Sequence, residues 1–233
     1  MRVLVTRPFD DAVETAAQLA ARGHRSIVSP LLKIRVCEEQ AISLNGVQAI
    51  LATSSNGVRA LSQRSERRDI PLFAVGEHTA SVARGLGFFD VKSAHGDAQA
   101  LMMAVPTWAR PECGTLLYVT GTREPNPLVA GLRALSYDVR TVVLYRSIPA
   151  TRLSSESRQA LRTKIVDAVL LFSPNTAKMF VHCIVIDDLQ DCCGPLIACC
   201  ISEAAAAPLK SLGLKDVRWP THPDQAGMLS LLD

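Results

Sequence analysis

A chain of 233 residues that is 48% hydrophobic but only 5% aromatic has the aliphatic mass for one large domain or two small ones, and its composition excludes a disordered or fibrous protein. The net charge of +3 comes without a block of five or six like charges, which argues against a nucleic-acid tail and suits a small anionic ligand. No apolar stretch reaches the roughly 18 residues of a membrane span, and MRVLVTRP runs straight into a strand without a leader pattern, so a cytoplasmic protein is expected.

Short β-type runs alternate with helix-like segments from end to end. RVLVT (2–6) reads as a strand, DDAVETAAQLAARG (10–23) as a helix with acids in its first turn and Gly23 at its end, and RSIVSP (25–30) as a second strand. VQAILATS (47–54), a helix after Asn56, PLFAVG (71–76), the helix EHTASVARGLG (77–87) and FDVKS (89–93) follow. VPTWARPECG (105–114) reads as a Pro-containing loop. Then come the strand TLLYVT (115–120), the helix PLVAGLRALS (127–136), the strand VRTVVLYRSI (139–148) and a polar helix over 154–165. DAVLLFS (167–173), a helix after Asn175, PLIACCI (195–201), the helix SEAAAAPLKSLG (202–213) and DVRWP (216–220) complete the series. Strands separated by helical crossovers predict parallel sheets covered on both faces.

The series repeats itself. ILATSSNGVRAL (50–61) and VLLFSPNTAKMF (169–180) share an apolar run, a Ser-x-Asn turn and a helical stretch, with Ser54 and Ser173 119 positions apart. AVGEHTASVARGLGFFDV (74–91) is echoed by CISEAAAAPLKSLGLKDV (200–217), and the start of the chain is echoed from Leu117 onward. Units recurring in one order at such a period mean two related α/β halves, not a solenoid.

Seven cysteines, an odd count, fit free thiols in a reducing compartment. The adjacent pairs in CCGPLIACC lack the gap that lets two thiolates reach one zinc, so they read as core residues. No histidine pair has metal-binding spacing, and neither a GxGxxG after the first strand nor a GxxxxGK[ST] is present. The chemistry therefore rests on the strand-end turns: Thr6-Arg7-Pro8, Thr53-Ser54-Ser55-Asn56, Gly76-Glu77-His78-Thr79, Thr120-Gly121-Thr122-Arg123, Ser173-Pro174-Asn175 and Ser202-Glu203. Hydroxyls and helix N-termini there suit carboxylates or phosphates, although each Ser, Thr or Asn also reads as a plain helix cap. Tyr145, in VVLYRSIP at mid-chain, reads first as an edge tyrosine with a buried ring and a wet hydroxyl, and second as a proton donor.

The ordered set LVTRP, ILATSSNGVRAL, FAVGEHTASVARGLG, VVLYRSIP, LLFSPNTAKMF and CISEAAAAPLKSLG resembles the uroporphyrinogen-III synthase family over nearly the whole chain. The resemblance implies two similar doubly wound parallel-sheet lobes joined by a two-stranded crossing ladder. Lobe one would hold 1–35 and 149–233, and lobe two 38–146, with crossings near 32–37 and 144–149. It implies cyclisation of hydroxymethylbilane, a linear tetrapyrrole, with inversion of the terminal pyrrole ring and loss of water, by a monomer needing no cofactor or metal. The substrate's eight carboxylates would lie in a cleft between the lobes, and the substrate would arrive by transient hand-over from the preceding pathway enzyme. Tyr145 matches the family's cleft tyrosine, a proposed acid for the departing hydroxyl. Thr79 matches a cleft threonine, and Ser54 and Ser173 the two strand-end serines. Arg7, Ser55, Asn56, Gly121, Arg123, Asn175 and Ser202 fall at cleft-facing turns as substrate-binding positions. The run Ser202-Glu203-Ala204-Ala205 departs from the family's threonine-bearing turn and leaves mainly backbone donors there. Competing expectations are a non-catalytic two-lobed binding protein for an anionic metabolite and, more weakly, a sugar-nucleotide transferase.

Overall fold

In the computed structural model, which describes residues 1–233 except Gln40 and Arg123, the chain runs β1 (Arg2–Val5), α1 (Phe9–Ala21), β2 (Arg25–Val28), β3 (Leu32–Val36), β4 (Val47–Ala52), α2 (Ser55–Arg64) and β5 (Leu72–Ala74). It continues through α3 (Glu77–Gly85), β6 (Val91–Ser93), α4 (Ala98–Trp108), β7 (Thr115–Thr120), α5 (Pro127–Ala134), β8 (Val139–Val143) and β9 (Tyr145–Pro149). It ends with α6 (Ser155–Arg162), β10 (Ala168–Leu171), α7 (Pro174–Ile186), β11 (Ile197–Cys200), α8 (Glu203–Ala206), β12 (Asp216–Arg218) and α9 (Gln225–Ser230). Contacts divide the chain into one unit of Met1–Lys33 with Ile148–Asp233 and another of Ile34–Ser147.

Each unit is built on a parallel five-stranded sheet, in the order β12-β11-β10-β1-β2 in the first and β6-β5-β4-β7-β8 in the second. Alternation along the strands supplies two apolar faces per sheet. In the first, Leu4, Val169, Leu171, Ala198 and Cys200 face α6, α7 and α8, while Val3, Val5, Leu170 and Cys199 face α1 and α9. In the second, Ile50, Ala52, Leu72 and Leu117 pack under α2 and α3, while Leu51, Phe73, Leu116 and Tyr118 pack under α4 and α5. The expected doubly wound α/β architecture is present in both units. Cys199 and Cys200 lie on opposite faces of one strand, and burial pushes their thiols up, to about 11 and about 12. Among the described residues, no helix is long and apolar enough to cross a membrane.

A two-stranded sheet pairs β3 with β9. Its strands begin where a residue changes partners. The Leu144 amide bonds Thr120 O at 2.9 Å, at the end of β7, while its carbonyl accepts the Cys37 amide at 2.8 Å. Leu31 does the same in the first unit, with its amide on Thr6 O at 3.1 Å and its carbonyl accepting from Ala150 at 2.9 Å. Both side chains are fully buried, which stabilises each by about 2 kcal/mol and pins the change of partner in place.

Three sequence expectations are corrected. VRTVVLYRSI is two strands, because Leu144 hands its amide to one sheet and its carbonyl to another. The expected loop 105–114 begins as helix, since α4 runs through Pro106 to Trp108. Pro106 lacks only the amide that would reach Met102 O. Two Asp97 cap bonds of 2.9 Å, buried Leu101 and Val105, and the edge of Trp108 on Phe73 at 5.1 Å hold the helix. SEAAAAPLKSLG is a four-residue α8 followed by a 3-10 turn over Ala207–Leu212, because Pro208 cannot donate to Ala204 O. Helix α9 had no counterpart in the sequence reading.

Candidate functional site

The chain reverses its direction of travel across each sheet, between β4 and β7 in the second unit and between β10 and β1 in the first. Open α/β sheets bind ligands beyond the carboxyl ends of the strands at such a reversal.

In the second unit the β4 end runs into Thr53 and Ser54. Ser54 is extended (φ −152°), and its Oγ accepts the Asn56 amide at 3.2 Å, capping α2. Ser55 is buried beneath this turn and its Oγ accepts from Arg59 at 3.3 Å, while Asn56 is half-buried. The β7 end runs into Thr120 and Gly121. Tyr145 follows Leu144, whose amide is fastened to Thr120 O, so the backbone delivers its ring onto this reversal. A Cβ at residue 121 would sit 2.5 Å from Tyr145 Cε2 and 2.7 Å from Cζ. A Cβ at Gly57, in the first turn of α2, would lie 3.7 Å from Cε1. The ring is thus wedged between two glycine backbones. Gly121 does not have a left-handed φ, so what demands glycine there is space and not conformation.

Burial pushes the Tyr145 phenol above the ordinary tyrosine range, a hydrogen bond with the Ser54 side chain pulls it back, and the nearby Tyr118 adds a further upward push. The group is therefore protonated at neutral pH. Thr79 lies at the neighbouring strand end, buried in the first turn of α3, where Gly76 offers no side-chain cap. Backbone donors and the partial positive charge of a helix start dominate that corner.

The first unit has its own set. Ser173 caps α7, its Oγ accepting the Thr176 amide at 3.0 Å and lying 2.8 Å from Thr176 Oγ1. Asn175 is exposed on the next turn. Ser202, two residues beyond β11, precedes α8 and makes no side-chain cap bond to it. Arg7 is buried, with its guanidinium 4.3 Å from the Phe172 ring centroid, 3.2 Å from Asp11 Oδ2 and bonded to Thr15 and Gln225. Asp11 offsets its charge locally.

The structure therefore brings Gly121 against the Tyr145 ring, with Ser54, Ser55 and Asn56 on the turn that starts α2. Thr79 stands at the adjacent strand end, while Arg7, Ser173, Asn175 and Ser202 belong to the other unit. Arg123 lies outside the described residues. Sequence reasoning missed Gly57, for which a glycine inside a helical pattern was the available signal. A hollow of about 430 Å³ lined by Met1, Arg2, Gly23, Arg25, Ile165 and Asp167 sits at the amino ends of the strands, away from these turns.

Comparison with known proteins bears on the family and the fold. The family model described as "Uroporphyrinogen-III synthase HemD" matches residues 13–230. A uroporphyrinogen-III synthetase structure from Helicobacter pylori aligns with a TM-score of 0.65 at 18% identity, covering 100% of this chain and 98% of that one. A mutant uroporphyrinogen III synthase from Thermus thermophilus aligns with a TM-score of 0.54 at 18% identity, covering 100% and 97%. At that identity the two structures speak to the fold. No curated protein matches the chain.

Proposed function

Because the chain belongs to the uroporphyrinogen-III synthase family and so acts in tetrapyrrole biosynthesis, we propose that it is a cyclising hydro-lyase acting on hydroxymethylbilane, with Tyr145 as the proton donor. The observation that carries this reading is the wedged phenol. Tyr145 is held between Gly57 and Gly121 at a strand-end reversal.

The reaction is balanced by the substrate and one phenol. The terminal C–O bond breaks as the Tyr145 hydrogen passes to the leaving hydroxyl, which departs as water. The pyrrole nitrogen's electron pair supports the carbocation left behind. A carbon–carbon bond then forms at the substituted carbon of the terminal ring, and the resulting spiro species fragments and recloses inverted. The proton lost from the last ring carbon restores the neutral phenol. The pyrroles supply the electron push, so the protein's work is proton donation and positioning. Burial, which keeps the phenol protonated, suits a donor and would disfavour a base.

The strand-end turns suit a polycarboxylate because they offer backbone N–H groups in place of fixed cations. Ser54, Ser55, Asn56, Thr79 and Gly121 are the proposed donors in the second unit, and Arg7, Ser173, Asn175 and Ser202 the proposed donors in the first. Arg123 remains a proposed donor on the strength of the resemblance. The same reading makes the protein a cytoplasmic monomer that receives its substrate from the preceding enzyme.

The test is Tyr145→Phe, which keeps the ring and removes the proton. Turnover of hydroxymethylbilane should fall at least about 100-fold, within the range attributed to a positioned acid, about 10² to 10⁴, with an unchanged melting temperature. A variant as fast as the parent would take Tyr145 out of the chemistry.

A further inference from the structure

We infer that Tyr118 is a positioning residue: its phenol, fastened between Asn126 and Thr53, sets the strand-end backbone that carries Ser54 and, through Ser54, the phenol of Tyr145. The inference rests on the proposed role of Tyr145.

Tyr118 lies in β7, 3% exposed, on the sheet face opposite the cluster that contains Tyr145. A core strand position of that kind is served as well by phenylalanine unless the hydroxyl has partners. Here it has two. Asn126 Nδ2 lies 2.9 Å from the phenol oxygen, and Thr53 Oγ1 lies 3.0 Å from it. The amide of Asn126 is oriented by its other end, because Oδ1 caps α5 by accepting the Leu128 amide at 2.9 Å. Nδ2 can only donate, so the Tyr118 oxygen accepts from Asn126, and a second hydrogen bond joins the same oxygen to the Thr53 hydroxyl. The bonds therefore form a continuous chain from the start of α5 through Asn126 and Tyr118 to Thr53. Thr53 is joined covalently to Ser54, whose Oγ accepts the Asn56 amide at 3.2 Å and whose side chain pulls the Tyr145 phenol down from the upward shift that burial gives it. Two helix starts and the strand end beside the proposed acid are thus tied to one buried hydroxyl.

The test compares Tyr118→Phe, Thr53→Val, their combination and Tyr145→Phe, each assayed at saturating hydroxymethylbilane with the folded fraction measured. Both single variants fill the original space, so folding is retained. If Tyr118 works through Thr53, each should lower kcat about threefold to tenfold with KM within about twofold. Each should also raise the share of uninverted product. The double variant should be no slower than the slower single, because both remove one bond. Parental kcat per folded molecule in Tyr118→Phe, with only a lower melting temperature, would reduce Tyr118 to a structural brace and overturn the inference. Losses that multiply in the double variant would overturn it too. If Tyr145→Phe alone keeps full rate, the reading of Tyr145 fails first, a result visible without the other variants.

Discussion

Gly121→Ala is the sharpest perturbation of the wedged phenol. The added methyl would sit 2.5, 2.7 and 3.0 Å from Tyr145 Cε2, Cζ and Cδ2, whereas unstrained carbon pairs rest at about 3.5 to 4.0 Å. Relief requires the ring to retreat by about 1 Å, and Gly57 backs its other edge, with Cε1 3.7 Å from a Cβ placed there. Overpacking of this kind costs about 1 to 3 kcal/mol of stability. A displacement of about 1 Å at a reacting group costs on the order of 100-fold in rate. Rate should therefore suffer more than stability: turnover of hydroxymethylbilane should fall about 100-fold, while urea unfolding shows a loss of about 1 to 3 kcal/mol. Because the damage passes through one ring, adding Gly121→Ala to Tyr145→Phe should slow the enzyme little further. A Gly121→Ala protein that is folded and turns over at the parental rate would refute the reasoning, as would full multiplicative losses in the pair.

Other consequences are open to measurement. Ser54→Ala removes the α2 cap and should cost about 1 kcal/mol in urea unfolding; it also removes the bond that pulls the Tyr145 phenol down, so that phenol should titrate higher in an ultraviolet titration. The thiols of Cys183, Cys193 and Cys199 are raised by burial to about 11 and that of Cys200 to about 12, above an ordinary 9. Their contribution to stability is complete below about pH 9 and should be lost progressively toward pH 11 to 12, since the unfolded chain releases those protons first. Unfolding curves at pH 8 and 10.5 would check this, and equal stabilities would contradict it. With a thiol reagent at pH 8, exposed Cys113 should react in the native protein while the four buried thiols wait for unfolding. Asp187→Ala removes the partner of Arg158 at 3.4 Å and of exposed Arg152 at 3.6 Å, and the acceptor of the Leu153 amide at 3.1 Å, all from a carboxylate with no exposed side-chain surface. It should cost about 1 to 3 kcal/mol, mainly through the Leu153 amide left unsatisfied, and Asp187→Asn less; a neutral Ala variant would rule out that anchoring.

Much of the fold was legible because its causes are local. TLLYVT is apolar enough for burial on both faces and forms β7 over those six residues. Ser54 and Ser173 precede helices and cap them, and the recurrence of such units made paired parallel sheets the natural reading. What escaped depends on distant partners. Pro106 signals a break, and only Phe73 and the buried Leu101 and Val105 explain why α4 continues past it. Leu144 looks like any strand residue until Thr120 and Cys37 are seen to claim its two backbone groups. The same limit applies to the candidate site. Tyr145 could be singled out by resemblance, but its neighbours Gly57 and Gly121 lie 88 and 24 positions away in the chain. Nothing in the sequence near Arg7 announces Gln225 and Phe172, and only the folded chain brings them around it with Asp11.

The most direct measurement is to add the purified protein to hydroxymethylbilane, oxidise the products and separate the porphyrin isomers by chromatography. The account predicts rapid formation of the ring-inverted isomer in excess over the uninverted one. Accumulation of the uninverted isomer alone, at the rate seen without protein, would contradict it.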